Sequence, residues 1–306
     1  MNSVLTYPAK LLLFGEYSVL LGSRALGIPI KAFHAGLDFI DQLKGVSLIR
    51  AEESNIQLKK LCDYYLEKLL VFAKFLDLDR FVADVKEGLY LSSTIPRQYG
   101  MGSSGALCAA LFGRYGIIKK EQLTILREKF IQMESCFHGK SSGFDPLVIY
   151  LQKAIMLEVG GEAIPFTSNN INGDYKIKVY LIDSGIFRSN TPFVNNFLDE
   201  FAPGGIVGTS AQRLISLTNS CIDKFISENE DDFWKEILNL SRFQLDTMSH
   251  LIPTHLQGYW LEGLQSELFA LKLCGSGGGG YFTCFTLNKK GSVNYFRNRT
   301  IGIVEI

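Results

Sequence analysis

Lys272 to Phe285 reads KLCGSGGGGYFTCF, with five glycines in six residues between two short apolar strands. A tight hairpin closes with one or two glycines. Each further glycine adds chain entropy that folding must overcome, so a run this long belongs where backbone lies against a ligand or another loop. Gly275, Ser276, Gly277 and Gly278 are candidate residues of such a loop.

Two other stretches carry chemistry. Ile95 to Leu107, IPRQYGMGSSGAL, is turn-rich and runs into Ala106, Leu107, Ala109, Ala110 and Leu111, which read as a buried helix. Gly100 and Gly102 thus stand at a helix N-terminus, where free N–H groups and the helix dipole favour an anion such as phosphate. An ordinary N-cap role for Ser103 or Ser104 explains the same stretch. Glu121 to Phe137 then places Leu123, Leu126, Phe130, Met133 and Phe137 on one helical stripe, with Glu134 inside it. A carboxylate facing packed protein needs a cation, either a metal ion or an Arg or Lys. Asp145 follows in the next turn, in ESCFHGKSSGFD.

With Pro8 to Gly22, PAKLLLFGEYSVLLG, these segments resemble the GHMP kinase superfamily, and within it the mevalonate kinases. The family pattern opens with P-x-K-[ILV]-x-L-F-G-E-[HY], continues with P-x-[GA]-x-G-[LM]-G-S-S-[AG] and ends with K-[LF]-x-G-[AS]-G-G-G-G. A segment like E-x-x-x-H-G-x-x-S-G-x-D follows the second motif, and Glu134, His138, Gly139, Ser142, Gly143 and Asp145 occupy those places. The resemblance spans the whole chain. Two positions depart from it: Gln98 stands where the second motif has its first glycine, and Tyr17 where a histidine is frequent.

The resemblance implies an α+β, two-lobed fold, with a ribosomal-protein-S5-like N-terminal lobe and a ferredoxin-like C-terminal lobe. It implies ATP and Mg²⁺ as cofactors. Gly100, Met101, Gly102, Ser103, Ser104 and Gly105 would cradle the ATP phosphates, and Ser104 with Glu134 would hold Mg²⁺. Asp145 would accept the proton of the acceptor hydroxyl, with Lys10 beside it. Glu16, Tyr17, Gly275, Ser276, Gly277, Gly278 and Arg188 are the substrate and phosphate-loop candidates. Mevalonate is the expected acceptor. Phosphomevalonate and sugar kinases share these loops, and a non-catalytic metabolite sensor on the same fold is the reading from another class.

Length and charge agree with this placement. A chain of 306 residues with 47% hydrophobic content is expected to form two lobes with a site between them. The turn-like TSNNINGD, Thr167 to Asp174, marks the expected junction, dividing the chain into 1–167 and 168–306. Thirty-one basic residues balance 31 acidic ones without a charge run, which argues against a nucleic-acid surface and for a small-molecule partner. Six scattered cysteines without C-x-x-C pairs read as buried thiols. With no signal peptide and no apolar run of membrane-spanning length, a cytoplasmic protein free of membrane is expected, and a homodimer stays open. Lys10–Phe14, Val46–Arg50, Leu147–Val159 and Tyr175–Asp183 read as strands. Lys59–Phe75, Gln212–Ser227 and Asp232–Met248 read as helices. His138 reads as a structural helix-end residue, and His250 and His255 lack metal-ligand spacing.

Overall fold

The computed structural model describes residues 5–41, 43–117, 122–139, 141–166, 175–187, 193, 196–197 and 208–306. In chain order its elements are β1 (Thr6–Phe14), β2 (Ala25–Phe39), α1 (Gly45–Glu67), α2 (Leu69–Phe72), α3 (Leu78–Lys86), β3 (Leu89–Ser93), α4 (Ser103–Tyr115), α5 (Leu123–His138) and α6 (Phe144–Leu151). There follow β4 (Ala154–Leu157), β5 (Ala163–Phe166), β6 (Lys178–Asp183), α7 (Gly208–Ile226), α8 (Glu230–Thr247), α9 (Thr254–Ser266), β7 (Ala270–Leu273), β8 (Tyr281–Thr286), α10 (Lys289–Arg297) and β9 (Ile303–Glu305). The class is α+β, as expected. The expected junction at Thr167 to Asp174 lies outside the described residues, as does the candidate Arg188.

The chain forms two compact units, one of Met1–Lys10, Pro29–Pro96 and Gly102–Gln152, the other of Leu11–Ile28, Arg97–Met101 and Lys153–Ile306. The division is interleaved rather than a single cut after residue 167, because β1 and the 15-residue β2 each supply residues to both units.

In the first unit, β3 pairs antiparallel with the second half of β2, from Ala35↔Ser93 to Phe39↔Leu89. Its helices bury Phe112 and Phe130 and pack them edge to face with each other and with the half-buried Tyr150, with ring centroids 5.2–5.6 Å apart. α4 is apolar nearly all round, with Ala106, Cys108, Ala109, Leu111 and Phe112 buried, as its sequence predicts. In the second unit, β4 pairs with the first half of β2 and with β5. A separate antiparallel sheet runs β7-β8-β6-β9. Phe14 lies 5.9 Å from both Phe233 and Phe285 at the centre of that unit's core.

Four sequence expectations need correction. Val46–Arg50 lies in α1 rather than in a strand, and Leu147–Leu151 completes α6 before β4 begins. Short apolar runs do not distinguish helix from strand by period. At α6 the deciding features are Gly143 in the left-handed region as N-cap and Pro146 in the first turn, where its missing N–H costs nothing. A single helix over Lys59–Phe75 would put Leu61, Tyr65, Leu69 and Phe72 on one face, but α1 stops at Glu67, and Leu69 is exposed while Leu61, Tyr65 and Phe72 are buried. Phe137, in the last turn of α5, is also exposed.

Candidate active site

In the first unit α4 starts at Ser103, and its N-cap is Gly102 at φ 75°, with no side chain capping the end. Neither serine is the N-cap. Ser103 and Ser104 instead occupy the first turn, at the positive end of the helix dipole. Gly102 and Gly105 cannot be other residues without moving their neighbours. A Cβ on Gly102 would lie 2.9 Å from Lys10 Cγ, and one on Gly105 would lie 2.9 Å from the Pro146 nitrogen and 3.1 Å from Asp145 Cβ.

Those two glycines bracket an ion pair. Lys10 Nζ on β1 and Asp145 Oδ1 in the first turn of α6 are 2.8 Å apart. The lysine is buried while the aspartate is partly open, so the carboxylate is the member of the pair that solvent or a ligand reaches. The ammonium and the N-terminal dipole of α6 both place positive charge against the Asp145 carboxylate.

Glu134 is buried in the last third of α5. Ser104 Oγ donates to its Oε1 at 3.0 Å, and Ser141 Oγ donates to its Oε2 at 2.5 Å. Ser141 Oγ in turn accepts the Gly143 N–H at 2.9 Å. Two thiols stand beside this carboxylate. Burial, then the charge of Glu134, pushes the Cys108 thiol far up; burial foremost pushes Cys136 up to about 12, with Glu134 adding to it. Both thiols are therefore inert near neutral pH. Ser104 and Glu134 fit a hard divalent cation such as Mg²⁺, which takes few protein oxygens and completes its shell with phosphate and water. Among the described residues no three His, Cys, Asp or Glu side chains cluster as a metal cage, and His255 Nε2 lies 3.0 Å from the Ser184 carbonyl oxygen.

The second unit holds the glycine-rich loop between β7 and β8. Gly275, Gly277, Gly278, Gly279 and Gly280 all have positive φ, from 67° to 150°, which explains their number. The loop is pressed against other backbone. The Gly278 and Gly280 N–H groups donate to the Leu251 and Ile186 carbonyls, each at 2.7 Å, and a Cβ on Gly280 would lie 2.9 Å from Tyr99 Cα. Gln98 adopts φ 64° where the resembling motif has glycine, so the departure noted in the sequence carries a backbone cost of about 1–3 kcal/mol.

Two candidates change role here. Glu16 is not available to a substrate: it is buried, with Oε2 2.6 Å from Lys272 Nζ, and Lys272 also donates to the Leu273 carbonyl. Tyr17, also at φ 64°, donates its hydroxyl proton to the Ser276 carbonyl at 2.6 Å and packs its ring 4.5 Å from Phe197. Its hydroxyl thus braces the glycine-rich loop.

Gly102, Ser103, Ser104, Gly105, Lys10, Glu134 and Asp145 fall in the first unit, while Gly100, Met101, Glu16, Tyr17 and Gly275 to Gly278 fall in the second. Arg188 and the side chain of His138 lie outside the described residues. Sequence reasoning missed Ser141 and Lys272. The signals were present: Ser141 lies between Glu134 and Asp145 in ESCFHGKSSGFD, and Lys272 opens the glycine loop motif.

Residues 63–153 match the GHMP kinases N terminal domain. The chain is 27% identical to the mevalonate kinase of Pyrococcus furiosus over 96% of this chain and 92% of that one. It is 26% identical to that of Pyrococcus abyssi, over 89% and 85%. The crystal structure of the Methanococcus jannaschii mevalonate kinase superposes with a TM-score of 0.67 at 17% identity, covering 99% of this chain and 97% of that one. The chain therefore has the GHMP kinase fold and resembles mevalonate kinases along its length.

Proposed function

We propose that this chain is an ATP-dependent phosphotransferase acting on an alcohol, with the primary hydroxyl of mevalonate as acceptor. The observation that carries the reading is the Lys10–Asp145 pair at 2.8 Å at the start of α6, in the same unit as the Ser104–Glu134 hydrogen bond. Phosphoryl transfer needs mainly positioning and charge neutralisation. The first-turn amides of α4 at Ser103, Ser104 and Gly105 hold phosphate oxygens at the positive end of the helix dipole, with Gly100 and Met101 continuing that stretch in sequence. Ser104 and Glu134 hold Mg²⁺, which neutralises charge on the phosphates when bound. Asp145 orients the acceptor hydroxyl and takes its proton, and Lys10 holds the Asp145 carboxylate in place and steadies the developing alkoxide.

The acceptor assignment is supported by the mevalonate kinases the chain resembles and by the E-x-x-x-H-G-x-x-S-G-x-D stretch. A phosphorylated acceptor favours a concentrated cationic cluster. Arg24, one of the scattered cations, is already engaged by Asp223 at 2.6 Å. Arg188 is the remaining candidate partner for the mevalonate carboxylate. ATP consumption over a panel of mevalonate, phosphomevalonate, homoserine and several sugars tests the reading. Mevalonate should lead; another acceptor used at least about ten-fold more efficiently, roughly 1.4 kcal/mol in transition-state binding, would overturn the acceptor while leaving the kinase.

A further inference from the structure

We propose that Ser141 is a positioning residue that ties the orientation of the Glu134 carboxylate to the seat of Asp145. The inference rests on the reading of Glu134 as a metal ligand and Asp145 as proton acceptor. In the segment resembling E-x-x-x-H-G-x-x-S-G-x-D, Ser141 stands at an unspecified position, so the resemblance assigns it nothing.

A serine hydroxyl has one proton to give and lone pairs to receive. Ser141 spends its proton on Glu134 Oε2 at 2.5 Å and receives the Gly143 N–H at 2.9 Å. Gly143 is the left-handed N-cap of α6, two residues before Asp145. It is itself wedged: a Cβ there would lie 2.6 Å from the Arg127 carbonyl oxygen and 2.8 Å from Ile131 Cγ1. Arg127 Nε also donates to the Ser142 carbonyl at 2.8 Å. α5 thus holds the start of α6 in three ways, by close packing on Gly143, by the Arg127 hydrogen bond to the Ser142 carbonyl, and by the bridge from Glu134 through Ser141.

The bridge also sets the carboxylate. The terminal torsion of a glutamate is broad and roughly two-fold. With Ser104 on Oε1 and Ser141 on Oε2, rotation breaks at least one charge-assisted hydrogen bond, each worth about 1.5–3 kcal/mol. Oε2 is thereby committed to the α6 start, and Oε1 is the oxygen shared with Ser104, the pair assigned to the cation. Through this one hydroxyl, whatever orients Glu134 also steadies the helix end that presents Asp145.

The test uses the full chain carrying Ser141→Ala and, separately, Ser141→Thr, which keeps the hydroxyl. Mn²⁺ binding to the complex with a non-hydrolysable ATP analogue is followed by paramagnetic resonance, beside steady-state kinetics and a thermal melt. Ser141→Ala should weaken Mn²⁺ binding and lower kcat by about ten-fold each, the scale of lost outer-shell partners, with KM for ATP little changed. Ser141→Thr should recover most of both. An alanine variant that binds Mn²⁺ and turns over like the parent overturns the proposal, as does equal impairment by alanine and threonine, which marks simple packing. If the parent fails to phosphorylate mevalonate while Mn²⁺ affinity still depends on the Ser141 hydroxyl, the acceptor assignment falls and the positioning role stands.

Discussion

Gly105 in α4 lies so close to Asp145 that a Cβ added to it would sit 3.1 Å from Asp145 Cβ and 2.9 Å from the Pro146 nitrogen. The missing side chain at Gly105 lets the first turn of α4 close on the first turn of α6, bringing the amides proposed to hold phosphate near the carboxylate paired with Lys10.

Gly105→Ala should therefore destabilise the chain by about 1–3 kcal/mol through overpacking, despite the helical preference for alanine. Gly258, exposed in α9 with nothing within 4 Å of its Cβ position, is the contrast. Gly258→Ala should stabilise by roughly 0.4–1 kcal/mol. Thermal or urea melts of the two variants check the opposed signs, and a neutral Gly105→Ala would refute the close contact.

Asp145→Asn should leave nucleotide affinity nearly intact while lowering turnover by about 10² or more, the scale for losing a positioned proton acceptor. It also leaves the buried Lys10 ammonium without its anion, so the melting temperature should fall. Calorimetric titration with an ATP analogue, set against kcat, separates binding from chemistry. Nucleotide affinity falling in step with turnover would move Asp145 to the phosphate site.

Glu134→Gln keeps the shape of the side chain and removes the charge. The magnesium concentration for half-maximal rate should rise and turnover should drop, far beyond any loss in the melt. Rate measured against Mg²⁺ concentration checks this; an unstable variant that saturates with metal like the parent would leave Glu134 a structural residue.

Lys272→Met should destabilise by about 3–5 kcal/mol, because it strands the Glu16 carboxylate in the core of the second unit. Adding Glu16→Gln should return a good part of that loss, since the cost is the unpaired charge rather than the missing pair. Chemical denaturation of the single and double variants gives the coupling. A single variant within about 1 kcal/mol of the parent would show that the pair is dispensable.

Much of the chemistry was legible because it is written locally. The glycines before α4, the inward-facing position of Glu134 in α5, and the acid in the following turn are short-range patterns tied to helix geometry, and they stand where the sequence puts them. Short apolar runs were read less well. Val46–Arg50 and Leu147–Leu151 have strand-like composition and are helical, since a four- or five-residue run carries too little period to choose.

By itself, then, the sequence determined the α+β class, the loop order and the candidate residues, because backbone conformation at glycine, proline and helix ends depends on a few adjacent residues. Only the tertiary structure decided which polar groups meet. Glu16 with Lys272, Tyr17 with Ser276, and Glu134 held by both Ser104 and Ser141 are contacts made in three dimensions. A buried charge or hydroxyl must find a partner somewhere, and residue type states that need without saying where the chain will satisfy it.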